Sequence, residues 1–351
     1  MKNPPSPALS TPGHKRWSLK LAWPALLVLA CVEPFLLSDY RVFQLTLVIV
    51  HAIALLGLNL LTGYGGQISL GHGAFYAVGA YTAAILIEHF QVAYWLTVPA
   101  AGIVCLGAGI LFGLPASRLE NLYLALATFA LGVCLPQILK YRHVELWTGG
   151  VQGITLAKPD APLGLPLSPD QWLYYFSLAV MLVLFAGAWN LLRGHAGRAI
   201  VAIRDRPVAA AASGIDVARY KVLTFGISAM YTGIAGALGG IAVQFVSPDS
   251  FSFFLSLSLL VGIVIGGLST ISGAVYGALF IQFVPSIAGD ISKAAPLAIY
   301  GVLLIAVVYV MPRGIAGAVG SVAHRLRAWG RAAEPPTVTD HRETNPGRNH
   351  A

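Results

Sequence analysis

Ten apolar runs constrain this chain more than anything else in its sequence. They fall at about residues 21–37, 42–62, 67–87, 93–115, 121–139, 171–192, 222–245, 255–269, 273–289 and 295–311. Charge between them is sparse: 10 % of the 351 residues are Asp, Glu, Lys or Arg, where a soluble domain carries roughly 25 %. A water-soluble globule of this size lacks the charges to cover its surface, and a disordered chain needs the opposite composition. The runs suit helices that cross a bilayer, which need roughly 20 residues each. The expected fold is all-α, a polytopic transmembrane bundle of about ten spans. Eight remains open, because 255–269 and 273–289 read as two short spans or as one broken pair.

The basic residues orient the bundle. With the N-terminus in the cytoplasm and ten spans alternating, only Arg41, Lys140, Arg142, Lys158 and Lys293 of the 22 Lys and Arg fall outside. That asymmetry follows the positive-inside rule, so both termini are expected to be cytoplasmic. Residues 1–20, with Pro4, Pro5, Pro7, Pro12, Lys15, Arg16 and Lys20, read as a disordered basic tail ahead of a permease domain at 21–311. Leu29-Ala30-Cys31 only faintly resembles a lipoprotein cleavage site. Residues 312–351 read as a basic, mostly disordered cytoplasmic tail. Two loops are long: 140–170 outside, with Thr148-Gly149-Gly150 and Gly153, and 193–221 inside, with six basic and two acidic residues. Cys31, Cys105 and Cys134 lie in apolar runs without metal-ligand spacing and read as inert packing residues.

Several function classes are disfavoured. Ion-coupled transporters place carboxylates or cations in the membrane, and here His51 and His72 are the main buried ionisable candidates. No GxxxxGK[ST] phosphate loop occurs, and no catalytic constellation is visible. Basic runs interleaved with aromatics are absent, so no nucleic-acid role is expected. No metal site and no cofactor in this chain are expected.

The segment Gly63-Tyr64-Gly65-Gly66-Gln67-Ile68-Ser69-Leu70-Gly71-His72-Gly73 carries the densest chemistry. Glycine weakens a helix by up to about 1 kcal/mol per residue. A broken helix exposes N–H groups that can hold a carboxylate, with Gln67, Ser69 and His72 adding side-chain bonds. Close packing by small residues explains the glycines equally well, and for His72 a structural hydrogen bond is favoured over a substrate contact. Gly66, Ser69, Gly73, Ala74 and Tyr76 recur 200 residues later as Gly266, Ser269, Gly273, Ala274 and Tyr276, beside Gly267. Such paired glycine-interrupted segments point to a transport path, although two Gly/Ala-rich stretches also match by chance. Gly109/Gly113, Gly262/Gly266 and Gly273/Gly277 are spaced for helix packing, and Gly233, Gly236, Gly239 and Gly240 line another span. In the inner loop, Arg204, Asp205 and Arg206 precede Pro207, which suits a first helical position. Ala209 and Ala210 lie in the alanine run that follows, and Gly214 suits the position past the end. Such a helix fits docking to a soluble partner or lying on anionic lipid.

Leu58-Asn59-Leu60-Leu61-Thr62 followed by Gly63 through His72 resembles the signature of LivM-type permeases, in the LivH/LivM permease family of branched-chain amino-acid ABC importers. Three further stretches agree in order: Asn121 through Thr128, Gly197 through Asp205, and Gly266-Gly267-Leu268-Ser269-Thr270. The resemblance covers about residues 40–311. It implies a multi-pass protein of the bacterial cytoplasmic (inner) membrane that pairs with a homologous LivH-type permease. Two cytoplasmic ABC ATPases would use the ATP, and an extracytoplasmic binding protein would deliver the solute. It also implies that 204–216 docks on the ATPase, although many members carry glutamates at the positions of Pro207 and Ala211. The family's solutes include branched-chain amino acids, urea, short amides and aromatic compounds.

Overall fold

The computed structural model describes residues 30–119, 121–162 and 166–291, with Gly301, Ile305, Tyr309, 314–319 and Ser321. The expected tail at 1–20, the first part of the run at 21–37, and most of 295–311 and of the tail at 312–351 lie outside the described residues. The described chain is helical almost throughout. Residues 30–36 form α1. There follow α2 (Asp39–Leu58), which continues as a π-helical turn (Asn59–Tyr64), α3 (His72–Glu88), α4 (Tyr94–Ala116), α5 (Asn121–Leu139), the short α6 (Glu145–Thr148) and α7 (Pro169–Arg193). The second half contains α8 (His195–Asp205), α9 (Pro207–Ala212), α10 (Val217–Val243), α11 (Phe253–Gly266) and α12 (Ile271–Ile291). Among the described residues, five helices are long and apolar enough to cross a membrane: α2 with its π-turn, α4, α5, α7 and α10. α11 and the first part of α12 are shorter apolar helices. The runs at 255–269 and 273–289 are thus two separate helices joined by a tight turn.

Local signals set the helix ends. Ser168 and Gln171 form a reciprocal capping box at the start of α7, with Pro169 at its first position, which satisfies two orphan N–H groups. Asp216 caps α10 by accepting from the Arg219 N–H at 3.0 Å.

The centre of the bundle is α10. Its helix neighbours are close because glycines remove the side chains between them. Gly57 of α2 lies against Ser228 and Tyr231, while Val50 lies near Gly239, so α2 runs antiparallel to α10. Gly102, Gly109 and Gly113 of α4 face Ile234, Ala229 and Phe225 in that order, so α4 is antiparallel too. α3 is parallel to α10: His72 meets Ser228 near one end and Ala80 lies near Gly240 near the other. α11 and α12 form their own hairpin, in which Gly266 packs on Gly273 and Gly277.

One end carries α8 and α9. At the other, the long loop folds into α6, a 3-10 turn (Gly150–Gln152) and a strand, β1 (Ile154–Thr155). β1 pairs antiparallel with β2 (Phe245–Val246), which directly follows α10. Lys140 Nζ reaches Asp249 Oδ1 at 2.5 Å, and Lys158 pairs with Asp170.

Candidate functional site

The two glycine-interrupted segments singled out in the sequence meet at the α8–α9 end. Gly63, in the π-turn, has a backbone carbonyl without a helical partner, as the last carbonyls of any helix do. It accepts from Ser269 Oγ at 2.7 Å and from Arg204 Nη1 at 3.0 Å. The same Arg204 nitrogen donates to Ser269 Oγ at 3.0 Å. Asn59, fully buried in the same turn, holds Ser269 from the other side. Its Oδ1 accepts from the Ser269 N–H at 2.9 Å, and its Nδ2 donates to the Thr270 carbonyl at 2.7 Å. Ser269 has φ +58° and Gly267 φ +120°. The serine therefore sits in the left-handed region, which costs a residue with a Cβ roughly 1–2 kcal/mol, and Asn59 and Gly63 hold it there. Gly66 (φ +67°) lies under the Arg204 stem, 2.6 Å from Cγ for an added Cβ. So Gly63, Gly66, Ser269 and Arg204 form one cluster. Gly266 and Gly267 shape the hairpin that delivers Ser269.

Beyond the π-turn the chain leaves helical geometry from Gly66 to Gly71 and turns back into the bundle. His72 and Gly57 share Ser228 as a partner, yet seven residues of helix, roughly 10 Å, separate Gly57 from Tyr64. α3 therefore starts about two turns inside the end of α2. Non-helical backbone at that depth must find internal partners. Lone hydroxyls supply them: Thr128 of α5 accepts from the Leu70 N–H at 3.0 Å, Ser256 of α11 from the Gly73 N–H at 2.9 Å, and Ser69 from the Gly71 N–H at 3.4 Å. Three N–H groups of the segment, those of Leu70, Gly71 and Gly73, are thus held by protein hydroxyls.

His72 is 1 % exposed. Its Nε2 is 2.7 Å from Ser228 Oγ, which itself donates to the Gly57 carbonyl at 2.5 Å. Ser228 must therefore accept from Nε2–H, leaving Nδ1 to accept from Ser69 Oγ at 2.8 Å. A neutral ring gives every proton in this chain an acceptor. Phe75 and Phe225 enclose it, with ring centroids 6.0 and 6.4 Å away. Gln67 is buried as well. Together with Gly65 it lines a small cleft against Ile200, Ile203, Tyr220, Lys221 and Thr224.

The inner-loop candidates divide. Asp205, Arg206, Ala209 and Gly214 are exposed, Ala210 is buried and Arg204 turns inward. Pro207 occupies the first position of α9. Its last turn closes with bonds from Ile215 N to Ala210 O (3.1 Å) and from Gly214 N to Ala211 O (3.0 Å), the Schellman pattern, with Gly214 at φ +82°. Val208 projects from this helix, 83 % exposed.

Asn59, Thr128, Ser228 and Ser256 were not read as site residues from the sequence. Their signal is a polar side chain inside an apolar run, where it must find a partner. Asn59→Asp should show this, because it keeps the acceptor for Ser269 but loses the donor to Thr270. Loss of about 2 kcal/mol is expected for a stranded buried group, read as a lower unfolding temperature in detergent. An unchanged temperature would mean that the Asn59 bridge bears no load.

The family described as "Branched-chain amino acid transport system / permease component" matches residues 40–311. The high-affinity branched-chain amino acid transport system permease protein LivM of Escherichia coli K12 is 32 % identical over 319 residues, covering 84 % of this chain and 74 % of its own. The corresponding LivH permease of Salmonella typhimurium is 24 % identical over 310 residues, 81 % of this chain and 97 % of its own. The autoinducer 2 import system permease protein LsrC of Enterobacter is 31 % identical over 152 residues, covering 40 % of this chain and 42 % of its own. No solved structure matches. A match over most of the chain's length, joined to apolar helices broken at Gly63–His72 and Gly266–Thr270, places this chain in the permease family of branched-chain amino acid transport systems.

Proposed function

We propose that this chain is one of two membrane permeases of an ATP-driven importer in the bacterial inner membrane, and that its solute is a branched-chain amino acid. A homologous LivH-type chain is the second permease. Two cytoplasmic ATPases supply the energy, and an extracytoplasmic binding protein delivers the solute. The α8–α9 end then faces the cytoplasm, both termini lie there, and the chain spans the bilayer about ten times. The solute reading is supported by kinship with LivM over 84 % of the chain and by the neutral, hydrogen-bonded interior around His72. In cells holding the whole system, labelled leucine should accumulate and unlabelled isoleucine and valine should compete. Competition by urea, short amides or benzoate instead would assign a different solute.

The observation that carries the coupling role is α9, a separately capped helix with Val208 standing out from it. Such a knob fits an apolar socket on a soluble subunit. Gly214 sets the angle at which α9 is presented. An added Cβ there meets nothing within 4 Å, so the cost of Gly214→Leu is conformational, about 1–2 kcal/mol. Uptake should fall by about tenfold while ATP hydrolysis and assembly persist, and Gly214→Asn, which tolerates the left-handed region, should retain most uptake. Normal uptake by Gly214→Leu would remove the coupling role from this helix.

A further inference from the structure

We propose that Arg204 is a positioning residue that ties the cytoplasmic loop to the inner ends of α2 and α12, so that displacement of the loop moves the two helix breaks together. This rests on the ATP-driven importer reading above. The family resemblance implied that Arg204, with Asp205 and Arg206, belongs to the segment that docks on the ATPase. The geometry points the other way. Its Nη1 bonds Gly63 O and Ser269 Oγ, residues 141 and 65 positions away, while its Nε bonds the neighbouring Asp205 at 2.9 Å. Its side chain is 31 % exposed, and its stem crosses over Gly66, where the missing Cβ leaves room.

Physical reasons favour this as the link between loop and bundle. The cation sits at the C-terminal end of a helix, where the backbone dipole favours positive charge. It closes the carbonyl that the π-turn leaves open, so α2 is capped by side chains from two distant elements. Ser269 is held at φ +58° by the same contacts and by Asn59, so the α11–α12 turn is set by this cluster. α8 continues through Arg206 into α9, which makes Arg204 the last inward contact before the docking helix. A push on α9 therefore reaches Gly63 and Ser269 through this guanidinium, beside the packing of Ile200 and Ile203 on the same end of the bundle.

The test uses the complete complex, purified and reconstituted in vesicles, with uptake and ATP hydrolysis read together. Arg204→Ala should lower uptake per ATP hydrolysed by about 10–100-fold, the range for losing charge-assisted hydrogen bonds, with the ATPases still copurifying. Arg204→Lys, which keeps the charge but loses the planar fork, should recover part of the ratio. Ser269→Ala removes one hydroxyl and no packing volume beyond it, and should give a smaller loss in the same ratio. The double variant should be no worse than Arg204→Ala, because both act on one cluster. Loss of the ATPases from the Arg204→Ala complex would overturn the proposal in favour of a docking contact. An unchanged ratio in Ser269→Ala and Arg204→Lys would overturn it even if Arg204→Ala fails to assemble. Should the wild-type complex carry some other solute, the ratio for that solute tests the link, and only the substrate reading falls.

Discussion

Gly79→Val should yield almost no folded protein. An added Cβ at Gly79 would fall on the backbone of Gly233, 2.6 Å from its Cα and carbonyl carbon. Neither side can yield by rotating a side chain, so α3 and α10 would have to separate along the interface that centres the bundle. Overpacking a well-packed site ordinarily costs about 1–3 kcal/mol, and backbone against backbone belongs at or above the top of that range. In cells the unfolded fraction is removed continuously, so a loss of about 1–2 kcal/mol already changes abundance several-fold, and at the larger cost here yield from membranes should fall to about a tenth or less. Gly107→Val is the matched control. It lies on α4, and its added Cβ meets nothing within 4 Å, so yield should match wild type. Equal yields from both variants would mean that α3 and α10 do not pack as described.

His72→Ala should be nearly as severe for a different reason. The ring joins α2, α3 and α10 through Ser69, Ser228 and the Gly57 carbonyl. Removal strands the Ser69 hydroxyl proton, at roughly 1–3 kcal/mol, and takes a donor from Ser228, which keeps its bond to the Gly57 carbonyl. It also leaves a cavity beside Phe75 and Phe225. The combined loss should be about 3–5 kcal/mol, in line with other large-to-small changes in a packed interior. A thermal unfolding series in detergent reads it directly. Ser228→Ala, which keeps the ring, should cost about 1–2 kcal/mol. If His72→Ala left the unfolding temperature unchanged and raised only the substrate concentration needed for uptake, the ring would be a substrate contact and the buried network incidental.

These two residues also show how much was legible in the sequence. Apolar runs located the helices, because crossing length and lack of charge are properties of local sequence. α9 was legible for the same reason: Pro207 and Gly214 punctuate a helix whatever surrounds it. The break after Gly63 was legible as a break, but its depth was not. That depth follows from Thr128, Ser228 and Ser256, single hydroxyls on three other helices, and nothing local ties any of them to Gly71 or His72. The 200-residue echo pointed to two similar breaks, and Asn59, Gly63 and Ser269 now place them side by side. Their lengths differ, because the first break runs back into the bundle while the second is a tight turn. α8 went unread because its apolar residues, Ile200 and Ile203, are spaced for one helix face within an otherwise basic loop. The pairing of Ile154 with Val246 depends on where α10 ends, which only the packed bundle fixes.

On the importer reading, energy should enter this chain from partner subunits, and no Asp, Glu, Lys or Arg is buried among the described residues. Uptake of labelled leucine by vesicles tests that most directly, with the two permeases reconstituted alone and then with their ATPases and binding protein. ATP-dependent accumulation only in the complete complex, insensitive to ionophores that collapse proton and sodium gradients, is the predicted result. Gradient-driven accumulation by this chain without the ATPases would contradict it.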